Sequence, residues 1–253
     1  MRKLSMALLA GVALVGCGVD SEVENQEITS NLIEAGYAAD DIQVVDGMVY
    51  VGNDAHVTLE ASREMLQRPE GSAEQYMTSN LVGTSVTKIC INPSSAFNSY
   101  SRLSQGLDLA IQNYNQLGLR FTMVRGSSGC SATINAVPSS GAGGSAGFPS
   151  GGKPYGTINI GTGLQSYSVD VNEHVITHEI GHALGFRHTD YYNRSISCGG
   201  AASNEGTAGV GANLIPGTSG TAVVGGSIMN ACFRSTETGE WTSSDITAIN
   251  YMY

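Results

Sequence analysis

The chain has 253 residues, 41% of them hydrophobic and 13% charged, with a formal net charge of −10. That length suits one good-sized domain plus a smaller segment, and nothing in it forms the basic patch that nucleic acid would need. From Gly18 to Ser85 there are 13 acidic and 2 basic residues, against 9 and 8 from Val86 onward, so the acidity belongs to the N-terminal part.

Arg2 and Lys3 stand before an apolar run from Met6 to Val15, which reads as an export signal and is too short to span a membrane. Leu14-Val15-Gly16-Cys17 resembles the bacterial lipobox, in which the cysteine receives the lipid. Residues 1–17 are therefore expected to direct export, with membrane attachment only through a lipid at Cys17; an ordinary secretion signal is the alternative. Residues 18–80 read as an acidic, propeptide-like segment. In it a helix is expected around Ile28–Ala35, then strands Ile42–Val45 and Met48–Val51 about the hairpin dipeptide Asp46-Gly47. Pro69, Gly71, Ser72, Ser79 and Gly83 mark 68–85 as a linker.

Residues 81–253 form the main domain. A strand is expected at Thr87–Asn92, then a helix over Tyr100–Leu117, where Leu103, Leu107, Leu109, Ala110, Ile111, Tyr114 and Leu117 make one apolar face. Strands follow at Arg120–Arg125 and Ala132–Ala136, a glycine- and serine-rich loop at Ser139–Pro154, and a strand at Gly156–Gly161. Asp170 and Glu173 are spaced like a capping box at the start of a second helix. Residues 189–240 are mostly irregular, and Ser243–Met252 reads as a closing helix. Cys90, Cys130, Cys198 and Cys232 suit two disulfides in an exported protein; of three possible pairings, Cys90–Cys130 and Cys198–Cys232 are favoured because each closes a loop within one half of the domain.

The second helix carries His178-Glu179-Ile180-Gly181-His182-Ala183-Leu184-Gly185-Phe186-Arg187-His188, the pattern HExxHxxGxxH. Histidines four apart share a helix face and reach one metal ion, while Glu179 flanks it. Gly185 can end the helix in the left-handed conformation and let the chain turn back with His188. Three protein ligands leave a position for water, which marks a catalytic Zn2+ rather than a structural one. His174 is a rival third ligand by spacing alone. It lies eight residues from His182, about 12 Å along a helix axis, too far for bonds of about 2.0–2.1 Å.

This motif, with Ser227-Ile228-Met229-Asn230 and the order strand, helix, three strands, metal helix, resembles the metzincin metalloproteases. The run HEIGHALGFRHTD, with Ile215–Thr218 and Ser227–Cys232, is similar to the bacterial HEIGH-type peptidases, the M57 family. The resemblance implies an α+β fold: a twisted mixed sheet, an active-site helix and a smaller irregular C-terminal subdomain ending in a helix. It implies an exported, zinc-dependent endopeptidase, a monomer acting on peptide or protein substrates, with His178, His182 and His188 as metal ligands and Glu179 as catalytic base. Met229 matches the methionine turn beneath the metal. Tyr155–Gly161 is the expected sheet edge for substrate. Ala231 stands where related families carry a tyrosine; Tyr155, Tyr191 and Tyr192 are alternatives in sequence. Asp190 either orients a ligand or caps a turn.

Tyr50-Val51-Gly52-Asn53-Asp54 resembles the segment by which astacin-like propeptides place an aspartate on zinc, with Asn53 interposed. Asp54 is therefore either a blocking ligand in a latent precursor or a turn aspartate. Two other functions compete with the peptidase: a lipoprotein binding module on the same fold, which loss of Glu179 or a ligand would favour, and a zinc hydrolase of non-peptide amides.

Overall fold

Ile89, Cys90 and Ile91 are buried in succession, as a strand flanked by strands and covered on both faces must be. They belong to a strand at the heart of the protein in the computed structural model, which describes residues 18–34, 37, 39, 41–64, 66, 75–205, 212–218 and 221–253. The expected export signal and Cys17 lie outside those residues.

The N-terminal segment holds α1 (Gly18–Glu34), β1 (Gln43–Val45), β2 (Met48–Val51), β3 (Ala55–Val57) and α2 (Leu59–Glu64). Next come β4 (Tyr76–Met77), β5 (Lys88–Pro93), α3 (Ser95–Asn98) and α4 (Ser101–Gln116). Then come β6 (Thr122–Arg125), β7 (Ala132–Ser139), β8 (Gly144–Gly147), β9 (Thr157–Gly161), a 3-10 turn over Thr162–Ser166, and α5 (Val169–Leu184). The last part has α6 (Ser195–Cys198), β10 (Asn213–Leu214) and α7 (Ser243–Met252). This is the α+β fold with a mixed sheet, an active-site helix and an irregular C-terminal part closed by a helix.

One sheet runs β1-β2-β3-β8-β9-β7-β5-β6. Strands β6, β5, β7 and β9 run parallel to one another, and β8 is antiparallel to β9. Strand β3 then pairs with β8 in parallel, Ala55 opposite Ala146 and His56 opposite Gly147. The N-terminal segment is thus a continuation of the main sheet rather than a unit apart.

Four expectations are corrected here. The glycine-rich stretch 139–154 contains β8, a strand hidden by composition, because glycine is depleted in strands. Two of its glycines have a steric reason: a Cβ on Gly144 would collide with the Glu179 carboxyl, and one on Gly147 with the His56 carbonyl and the Tyr155 ring. Strand β9 is interior, between β8 and β7, so Tyr155–Gly161 is no edge. The described part of the supposed linker, 75–85, is packed: Thr78, Asn80 and Val82 are buried, and Asn80 Nδ2 donates to the carbonyls of Ala61 (3.0 Å) and Pro149 (3.1 Å). Helix α5 is capped by Ser168, whose hydroxyl accepts from Val171 N at 3.2 Å, and not by Asp170 with Glu173.

The main core gathers Ile89, Ile91, Leu103, Leu107, Ile134, Ile158 and Ile180 between the sheet and helices α4 and α5. Gly106 lets those helices meet, since a Cβ there would stand 2.8 Å from Glu173 N. A second core joins Leu32, Val49, Val51, Val57 and Ala61 of the N-terminal segment to Phe148 of the main domain. Disulfides Cys90–Cys130 and Cys198–Cys232 tie β5 to the turn before β7, and α6 to the chain after Met229.

Candidate metal centre

Helix α5 is buried along almost its whole length, and helical geometry puts His178 and His182 about one turn apart on one face. It ends at Gly185, with φ 109° and ψ 9°, and Phe186 N returns to the carbonyl of Gly181 at 3.0 Å. Only glycine takes that left-handed end without strain, and it aims the chain back toward the helix. His188 therefore arrives beside the other two: its Nε2 is 3.2 Å from that of His182 and 3.3 Å from that of His178.

The Nδ1 atoms show which way these rings face. His178 Nδ1 lies 2.8 Å from the carbonyl of Ile228, and His182 Nδ1 2.8 Å from that of Phe186. Carbonyl oxygens only accept, so each Nδ1 carries the proton and each Nε2 presents a lone pair. His188 Nδ1 lies 2.6 Å from Glu205 Oε1. Opposite the rings stands Asp54, with Oδ2 3.1 Å from His188 Nε2 and 3.9 Å from His178 Nε2, and Oδ1 3.8 Å from His182 Nε2.

Ligand atoms of Asp54, His178, His182 and His188 all fall within 4.8 Å of one another. Converging lone pairs repel unless a cation shares them, and Asp54 Oδ1 is buried without a hydrogen-bond partner. Three imidazoles and one carboxylate form a donor set that suits zinc.

Electrostatics couple the four groups to one another. Burial alone would raise the Asp54 carboxyl, but His188, His182 and His178 outweigh it and hold it well below the carboxylate range. Burial and the neighbouring rings push His178 down, and burial lowers His182 to about 4. His188 goes the other way, because Asp54 and Glu205 on its two sides overcome burial and raise it. Glu179 is driven up by burial and by Asp54, and its Oε2 is buried without a partner. Glu179, Asp54, Asn230, Ala231 and Phe233 line one cavity of about 300 Å³ beside His178.

A family model described as "Dual-action HEIGH metallo-peptidase", Peptidase_M57, matches residues 49–253. The chain belongs to this family. Two solved structures are similar in part, titled "Crystal structure of myroilysin" and "Structure of myroilysin". Each aligns at 16% identity over 69% of this chain with a TM-score of 0.39, covering 85% and 96% of the myroilysin chains respectively. Comparison with curated proteins gave no match.

In this HEIGH metallopeptidase Met229 is fully buried against α5, where a Cβ on Gly181 would come 2.7 Å from its Sδ. The same turn gives the Ile228 carbonyl to His178 and the Met229 carbonyl to Thr189 N at 2.8 Å. His174 stays outside the cluster, 3.9 Å from Glu237. The Asp190 carboxylate accepts from Ala231 N (2.9 Å), Ser197 N (3.2 Å) and Ser197 Oγ (2.5 Å), joining α6 to the methionine turn rather than, among the described residues, bonding a histidine. The three tyrosines have other partners. Tyr155 bonds His56 through its hydroxyl, Tyr191 packs edge-on against Tyr76, and the Tyr192 hydroxyl accepts from Ala222 N at 2.9 Å.

Sequence reasoning missed Glu205 and Arg194. Both lie in the irregular part after the motif, at no spacing that a pattern could flag.

Proposed function

We propose that this metallopeptidase is an exported zinc endopeptidase, and that residues 18–80 keep it latent through Asp54. The observation that carries the reading is the convergence of the His178, His182 and His188 Nε2 atoms under the Asp54 carboxylate, with Glu179 beside them. His178, His182 and His188 would hold zinc, which when bound would supply Lewis acidity toward the scissile carbonyl and toward a water molecule.

Glu179 is the group placed to take a proton from that water and return it to the leaving amine. Gly144, lacking a side chain, leaves room for the Glu179 carboxyl. Strand β8, which borders this room, is the strand on which a peptide would add once β3 leaves. Until then β3 covers β8, and Asp54 faces the histidines as a fourth donor.

Two disulfides support an oxidising compartment, in line with the export signal, and attachment through a lipid at Cys17 completes the proposed route. The reading takes the protein to act as a monomer. Digesting a mixed peptide library with the full chain and with Asp54→Ala, each with and without chelator, tests the reading. Chelator-sensitive cleavage is expected, strong in the variant and weak in the parent; an inactive variant that holds zinc would sink it.

A further inference from the structure

Two of the three histidines sit on a rigid helix with their Nδ1 atoms on backbone carbonyls, but His188 comes from the chain beyond the helix. A ring placed by a loop needs another restraint. Glu205 is 2% exposed, and its Oε1 is 2.6 Å from His188 Nδ1. Its own backbone N donates to the Tyr191 carbonyl at 2.7 Å, three residues past His188.

A buried carboxylate is tolerated only with counter-charge and hydrogen bonds. Arg187 Nη2 stands 3.4 Å from Oε2, and Arg194 Nε 3.5 Å from Oε1. Arg187 is itself laid over the ring of Tyr37, 4.3 Å from its centroid. Arg194 Nη1 donates to the Gly52 carbonyl at 2.7 Å, two residues before Asp54. The carboxylate is therefore balanced by two guanidinium groups, and its shortest side-chain contact is with His188.

We propose that Glu205 is a positioning residue for His188, fixing the proton on Nδ1 and turning Nε2 toward His178 and His182. This rests on the zinc reading above. A carboxylate behind a ligating imidazole sets the tautomer, restrains the ring and makes the ligand more basic, and losing such a partner costs about 10–100-fold in metal affinity.

The test uses the full chain. Zinc affinity is measured by chelator competition for the wild type, Glu205→Gln and Glu205→Ala, and histidine ring protons are followed by nitrogen-edited NMR in the zinc-free wild type. Weakening is expected to be about tenfold for the isosteric Gln variant and to approach about 100-fold for Ala. One Nδ1 proton should lie downfield of the two bound to carbonyls, and Glu205→Gln should move it upfield. Should Glu205→Ala fail to fold, the Gln variant and the wild-type spectrum decide. Wild-type zinc binding that neither variant alters, or a spectrum without the carboxylate-bound proton, would overturn this inference alone. A wild type that takes up no zinc would overturn the zinc reading and this inference with it.

Discussion

Asp54 Oδ2 lies 3.1 Å from His188 Nε2, although 134 residues of sequence separate the two. The carboxylate reaches that place from the tight turn between β2 and β3, where Asn53 takes the left-handed conformation with φ 68°. Asp54 is thus delivered by backbone geometry, and its own carbonyl accepts from Ala146 N of β8 at 3.0 Å.

Asp54→Ala in the uncut precursor should switch activity on. A contact worth about 2.8 kcal/mol changes the open fraction about a hundredfold, so peptide cleavage by the purified precursor should rise on that order. Equal silence of both precursors would rule Asp54 out as the block.

Glu179→Gln should keep zinc content and melting temperature while kcat falls about 10²–10⁴-fold. Metal analysis and steady-state kinetics on one preparation check it. Undiminished turnover would remove Glu179 as the base.

Gly181→Ala should cost about 1–3 kcal/mol, since the new methyl meets Met229 Sδ in a packed interior. Adding Met229→Ala should recover part of that loss, seen as a coupling in a denaturation double-mutant cycle. Strict additivity would mean that the two side chains do not press on each other.

Glu173 gives a pH dependence. Burial raises its carboxyl from 4.5 to about 7, although Asn113 Nδ2, 2.7 Å away, pulls the other way. The folded protein thus holds a proton that the unfolded chain has released by that pH. Stability from this group is present below about pH 4.5 and lost as pH rises through about 7. Glu173→Gln keeps an acceptor for Asn113 and removes the titration, so its melting temperature should gain on the parent across that window. A constant difference from pH 4.5 to 7 would show that Glu173 does not titrate there.

Much of this was legible in the sequence because it rests on local spacing. The four-residue step of His178 and His182, the left-handed end at Gly185 and the apolar face of α4 depend on near neighbours. The closing helix is the clearest case: Ser243–Met252 was expected and is found, with Thr242 and Asp245 forming its capping box. What escaped depends on distant contacts. Strand β8 looks like a loop because its glycines answer to Glu179, His56 and Tyr155, none of them adjacent. Glu205 gains its place from Arg187, Arg194 and His188 after the chain has folded. Asp170 with Glu173 had the right spacing for a cap, yet Ser168 stands one position before the helix and takes the role.

The β3–β8 pairing bears on how activation proceeds. Breaking one peptide bond leaves that ladder intact, together with the core around Phe148 and the Arg194 bond to Gly52. On the proposed latency, cleavage would only convert an intramolecular inhibitor into a bound peptide, and effective concentration would give way to ordinary mass action. A nicked preparation should remain quiet when concentrated and wake on dilution. Activity would then lag behind cutting by the time the severed segment takes to diffuse away.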